Sequence, residues 1–192
     1  MPVKIGGLPA HVLLVHAVVV LLPLAAIMLV LGVLWPAARR RFGLLTPLLA
    51  LVGLALVPVT THAGEWLEDR LPRSKAIERH ADLGDQLLPW AAGLFVLAAV
   101  VWWVDRRREL VWRSRPERAG AQAGEPSPGG GSTATLVRPE ATEAREAAPV
   151  WVTVLLSVLS IAVAVGMTIM LYRIGDSGAK AVWGGVANLP AR

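Results

Sequence analysis

The apolar residues of this chain do not recur at one steady helical or strand period but are bunched into four blocks. Val12–Trp35, Phe42–Thr61, Leu87–Val104 and Val150–Tyr172 contain no Asp, Glu, Lys or Arg. At about 1.5 Å of rise per residue, each reaches across roughly 30 Å of hydrocarbon when helical. The pattern therefore predicts an all-α, integral membrane four-helix bundle with a disordered cytoplasmic linker before the fourth helix. Residues 1–112 are read as three transmembrane helices with a structured external loop at 62–86. Residues 113–148 are read as a flexible linker, and 149–192 as the fourth transmembrane helix with an external glycine-rich tail.

The polar stretches sharpen this picture. Pro72 and Ser74 form a stop followed by a helix start. Beyond them Ile77, His80, Gly84 and Leu87 share one face, while Glu78, Asp82 and Asp85 share another. The third span is thus expected to begin as a polar helix outside the membrane. The run Gly-Glu-Pro-Ser-Pro-Gly-Gly-Gly-Ser-Thr at 124–133 offers little to bury and many breakers, as flexible linkers do. Gly53, Gly93 and the Ala162/Gly166 pair present small surfaces suited to close helix contact.

Charge assigns an orientation. Of 19 Lys and Arg, the tight groups Arg39–Arg41 and Arg106–Arg108, with Arg113, Arg115 and Arg118, follow the first and third spans. Arginine beside span ends marks the cytoplasmic side, so both termini are expected outside and the linker inside. The protein is placed in the bacterial plasma membrane with the lipid bilayer as its first partner. Trp35, Trp102, Trp103 and Trp151 at inner span ends, with Trp66 and Trp90 near the outer ends, match interfacial belts. The net charge of +5 is explained by these flanks, and no nucleic-acid partner is expected. Lys4 alone precedes a first block longer than the roughly 7–15 residues of a signal core, so that block is read as a retained span.

The absence of cysteine excludes disulfides, thiolate zinc sites, iron–sulfur clusters and covalently attached haem within the chain. No Gly-x-Ser-x-Gly elbow occurs, and Asp176 and Ser177 have no histidine at local spacing, so the chain is not read as an enzyme on its own. Four histidines remain: His11, His16, His62 and His80. The expected topology puts all four at the outer end. His16 lies about 7.5 Å deeper than His11 and about 140° round the helix. An imidazole inside a span demands a partner, so His16 is expected to point into the bundle towards His62 or His80, with His11 facing a groove. Two histidines from different helices are what a b-type haem requires. The alternative is a metal site built from His62, Glu65 and His80. A redox or membrane-complex partner would serve the first reading, whereas a cofactor-free scaffold or assembly subunit is the competing one. The oligomeric state stays open. A transporter is disfavoured because no span is broken midway by paired Gly and Pro and no charge lies at mid-depth.

The run Leu8-Pro9-Ala10-His11, then Val15-His16, Gly64-Glu65, Ile77-Glu78-Arg79-His80 and the tail Gly175–Trp183 resemble a bacterial membrane-protein family, domain of unknown function 2231. The resemblance implies a four-span bundle with a histidine-bearing outer end and no established activity. The family pattern places a proline after the first histidine and an acidic residue after the loop histidine, where this chain has Val12 and Ala81.

Overall fold

The computed structural model describes residues 4–5, 7–113 and 150–184. From residue 114 on, the expected linker lies outside the described residues. The chain begins with a two-residue antiparallel ribbon, β1 (Lys4–Ile5) with β2 (Leu8–Pro9). Its turn includes Gly7 at φ 84°, a conformation open to glycine without strain.

Pro9 leads directly into α1 (Ala10–Leu34). That helix stops at Trp35, whose extended backbone is the one favoured before a proline. Pro36 then opens α2 (Pro36–Phe42) at a position that needs no N–H donor. Gly43, at φ 37°, turns the chain into α3 (Leu45–Glu68). Past a short turn, the Ser74 hydroxyl accepts from the Ile77 N–H at 3.2 Å and caps α4 (Lys75–Asp85). Only Gln86 separates α4 from α5 (Leu87–Arg113), and α6 runs from Val150 to Trp183. Among the described residues, four helical stretches are long and apolar enough to cross a membrane, as the charge-free blocks predict.

Helix α1 packs on α3, α3 on α5, α5 on α6 and α6 back on α1. Sequential spans alternate in direction, so neighbours in this ring are antiparallel and α1 faces α5 across a diagonal. The inner surface follows a 3–4 spacing on every helix, the seam of bundle packing. On α1 it runs Val18, Leu22, Ala25 and Leu29, and on α5 Leu87, Ala91, Leu94, Ala98 and Val101. Helix α3 contributes Thr46, Ala50, Val57 and Thr60, and α6 contributes Ser160, Met167, Met170 and Ser177. Outward positions such as Val20, Ile27, Val96 and Val165 stay exposed, as lipid-facing side chains would be.

Two of the small residues set the closest approaches. Leu22 is fully buried and lies where a side chain on Gly53 would stand, a Cβ there falling 2.5 Å from its Cδ2. The Trp90 ring lies on Gly166 of α6, in the space that a Cβ there would occupy. Trp90 is therefore only part-exposed and packs across the α5–α6 seam. Gly93 has only ordinary contact with Val163. At the opposite end from the histidines, the Arg39 Nε donates to the Asp105 carboxylate at 3.0 Å and ties α2 to α5. Arg107 there stacks over Trp103 at 3.9 Å.

Residues 62–86, expected as a structured external loop, are mostly helical, comprising the last two turns of α3, a turn at 69–74 and α4. The glycine-bearing stretch after Tyr172, expected as a tail, continues α6 to Trp183. It remains helical because it packs on α4 and carries an Asp176–Lys180 ion pair of 2.7 Å at helical spacing.

Replacing Gly166 by Leu should lower the unfolding midpoint in detergent by the equivalent of about 1–3 kcal/mol, because the Trp90 ring has no alternative seat. Adding Trp90→Ala should return part of that loss; strictly additive effects would show that the two residues do not share one seam.

Candidate functional site

The 3–4 stripes that line the bundle end in polar residues at one end of the molecule. On α1, His11 stands seven residues before Val18 and so falls on the inward stripe. On α4, His80 precedes Leu83 and Leu87 by three and seven residues and continues the α5 stripe outward. The rings of His11 and His80 meet edge to face, their centres 6.3 Å apart and their planes perpendicular. The site is thus built from the two helices that face each other across the diagonal.

The other diagonal holds these rings in place. The Nδ1 of His11 lies 2.9 Å from the Thr60 carbonyl of α3. The Nδ1 of His80 lies 3.1 Å from the Ile174 carbonyl of α6, and 3.1 Å from the Ser177 hydroxyl. The Ser177 hydroxyl itself donates to the same Ile174 carbonyl at 2.9 Å. A carbonyl can only accept, so both Nδ1 atoms carry the proton, and in each neutral imidazole Nε2 is left as a lone pair. This is the tautomer that histidine ligands adopt when their second nitrogen is anchored to backbone.

A glycine sits beside each ring. A Cβ on Gly64 would stand 3.0 Å from His11 Cε1 and Nδ1, and one on Gly178 would stand 3.0 Å from His80 Cε1. A helical glycine costs about 1 kcal/mol relative to alanine. Here the missing side chains allow the imidazoles to lie close to the α3 and α6 backbones. With its five charged residues, α4 lies outside the apolar span. Burial pushes the His80 pKa below its ordinary value, helped by the neighbouring His11 and opposed by the Ile174 bond and Glu68. Burial thus favours the neutral form, which exposes a lone pair.

The other two histidines are not brought into this junction. His16 is exposed on the outer surface of α1, with its Nδ1 directed to the Val12 carbonyl one turn back. This corrects the expectation that the deeper histidine points inward. The inward stripe passes through His11 and Val18, and His16 lies far round the helix from both. His62 is also exposed and reaches Glu65 of its own helix at 3.3 Å. Among the described residues no three His, Cys, Asp or Glu side chains gather as a metal site, so His62, Glu65 and His80 do not assemble into one.

Sequence reasoning did not single out Thr60, Gly64, Ile174, Ser177 or Gly178 as site residues. The available signal was the 3–4 spacing itself: Ala50, Gly53, Val57, Thr60 and Gly64 form one stripe, and Met167, Met170, Ile174 and Ser177 another.

Fold and site together define a four-helix membrane bundle closed at one end by a paired-histidine junction. Residues 7–123 match the family described as predicted membrane protein (DUF2231), and the chain belongs to that family as a multi-pass membrane protein. The match includes all four histidines and α1 to α5, whereas the Ile174 carbonyl, Ser177 and Gly178 lie beyond it. No curated protein and no solved structure matches the chain.

Replacing Gly178 by Val should displace the His80 ring. In histidine-labelled protein the hydrogen-bonded Nδ1–H signal of His80 should disappear while that of His11 persists. A His80 signal unchanged from the parent would show that the ring does not rest on this glycine.

Proposed function

We propose that the paired-histidine end of this membrane protein is a bis-imidazole site for a b-type haem, serving one-electron transfer or redox sensing. The observation that carries this reading is the arrangement of His11 and His80. They come from diagonally opposed helices, both anchored through Nδ1, with ring centres 6.3 Å apart. His11 and His80 would hold the group between them, each through the nitrogen that is not anchored to backbone.

The donor set favours haem over a bare ion. The junction offers two nitrogens and, among the described residues, no group of three ligating side chains. Structural zinc normally takes four protein ligands, whereas haem iron carries four of its own and asks the protein for two. His11 and His80 would be those two, and the carbonyls of Thr60 and Ile174 would orient them and raise their basicity. The bound group would supply reversible one-electron chemistry. His16 and His62 are not part of this assignment.

The reading is tested by absorption spectroscopy of protein purified from cells with adequate haem supply, oxidised and then reduced with dithionite. A Soret band that sharpens on reduction should be lost in His11→Ala and in His80→Ala, and retained in His16→Ala and His62→Ala. A featureless spectrum would sink the haem assignment and leave the pair as a helix clamp in a cofactor-free scaffold subunit. Loss in His16→Ala alone would move the site to the outer face of α1.

For orientation we propose that the arginine end is cytoplasmic and the histidine end, with both termini, lies outside. The juxtamembrane Arg39–Arg41 and Arg106–Arg108 groups support this. A topology reporter fused after Arg118 should read as cytoplasmic; an external signal would invert the assignment.

A further inference from the structure

Beside the histidine junction, on its outer flank, α4 and α6 line a solvent-open cavity of about 310 Å³, the lower end of the range for small-ligand sites. Its charge is one-sided. Lys75 and Arg79 of α4 and Arg173 and Lys180 of α6 line it, against the single carboxylate of Asp176. Asp176 is already engaged by Lys180 at 2.7 Å. No carboxylate among the described residues pairs with Lys75, Arg79 or Arg173. The floor includes the buried Ser177, whose hydroxyl also touches His80. The first turn of α4 also forms part of the wall, adding the positive end of a helix dipole to the four cations.

Cations that merely solvate a surface are normally interspersed with carboxylates, whereas the acidic residues of α4, Glu78, Asp82 and Asp85, do not line the cavity. Four cations around one cavity with a single, already paired, acid repel one another unless an anion joins them. The position narrows the choice of anion. Arg173 directly follows Tyr172, the last residue of the charge-free stretch of α6, so the cavity lies where the helix leaves the apolar layer and headgroups begin. Guanidinium groups suit phosphate oxygens through paired N–H donors, and lysine adds point charge.

We propose that the cavity between α4 and α6 binds a phosphate group, held by Lys75, Arg79, Arg173 and Lys180. The same chemistry is offered by the headgroup of an anionic phospholipid and by free inorganic phosphate. The site is independent of haem occupancy, since its residues are not the imidazoles of the junction.

The test uses the full-length protein in two arms. In the first, protein reconstituted in phosphatidylcholine with a minor share of phosphatidylglycerol is released for native mass spectrometry, and retained phosphatidylglycerol is counted. In the second, delipidated protein in neutral detergent is titrated with inorganic phosphate against chloride at matched ionic strength, following the unfolding midpoint. Arg79→Gln/Arg173→Gln should weaken binding roughly tenfold or more, as expected for removing two cations near the ligand. Arg79→Lys/Arg173→Lys should keep most of it, which controls for folding. Arg40→Gln/Arg41→Gln, with the same charge change at the other end, should leave it unaltered.

Retention in the first arm that depends on Arg79 and Arg173 identifies a lipid headgroup as the source; a shift in the second arm alone identifies free phosphate. Binding in neither arm overturns the proposal. So does an equal loss in the Arg40/Arg41 variant, which would reduce the effect to net charge.

Discussion

An imidazole packed into the end of a helix bundle must find a partner for its N–H inside the protein, because a buried donor left unpaired is costly. His11 and His80 meet this demand on the backbone of helices other than their own, at Thr60 and Ile174. Much of this end of the molecule follows from that choice. The imidazoles must approach α3 and α6 closely, so glycine stands at 64 and 178. The bonds tie α1 to α3 and α4 to α6, which draws the polar helix α4 onto the bundle. They also fix which nitrogen is bare. His16 solves the same problem locally, on the Val12 carbonyl of its own helix, and so organises nothing beyond itself. Ser160 shows the cost of not solving it. Its hydroxyl is fully buried with no hydrogen-bond partner among the described residues, a loss of about 1–3 kcal/mol that the surrounding packing must offset.

The four spans were legible because lipid tolerates almost no charge, and the gaps between charged residues report where helices cross. The start of α4 was legible for a different reason: Ser74 caps it with the hydroxyl that its residue type suggested. The rotation of α1 was harder to read. Val, Leu and Ala surround the helix on every side, so apolarity does not distinguish the face that meets protein from the face that meets lipid. The inward stripe is marked instead by residue size, with Ala25, Ala26 and Gly32 buried among larger neighbours. Depth in the membrane pointed to His16, whereas that stripe extends to His11. Gly175 and Gly178 read as breakers of a tail for a related reason. At Gly178 the helical role depends on the His80 ring of α4, which lies more than ninety residues away in sequence.

The two ends of the bundle are held by different physics. At the arginine end, the partly exposed Arg39–Asp105 ion pair joins α5 to α2, which sits between the tight turns at Pro36 and Gly43, and a cation over Trp103 braces α5 itself. Exposed pairs of this kind contribute little individually, and the connection there is covalent and short. At the histidine end α6 has no short covalent tie to its neighbours. Its position relative to α1, α4 and α5 depends on packing, through core residues such as Met167 and Met170, and on contacts such as Trp90 on Gly166, His80 on Gly178 and His80 with the Ile174 carbonyl. The geometry of the candidate site therefore depends on how firmly α6 is docked.

That dependence bears on where the site resides in the chain. The segment matching the family contains both imidazoles but ends at residue 123, before the helix that anchors one of them. Without α6, His80 would lose its carbonyl partner, the Ser177 hydroxyl and the surface against which its ring is seated. The wall of the basic cavity would go with them. A segment of α1 to α5 alone would keep His11 fixed by Thr60 while leaving His80 on a polar helix with its N–H free to turn to water. Since Nδ1 anchoring is what leaves Nε2 as the bare nitrogen, the loss would fall on the chemistry of the pair as well as on its position. The paired-histidine junction is thus a property of the assembled four-helix ring, and no shorter segment of the sequence contains it.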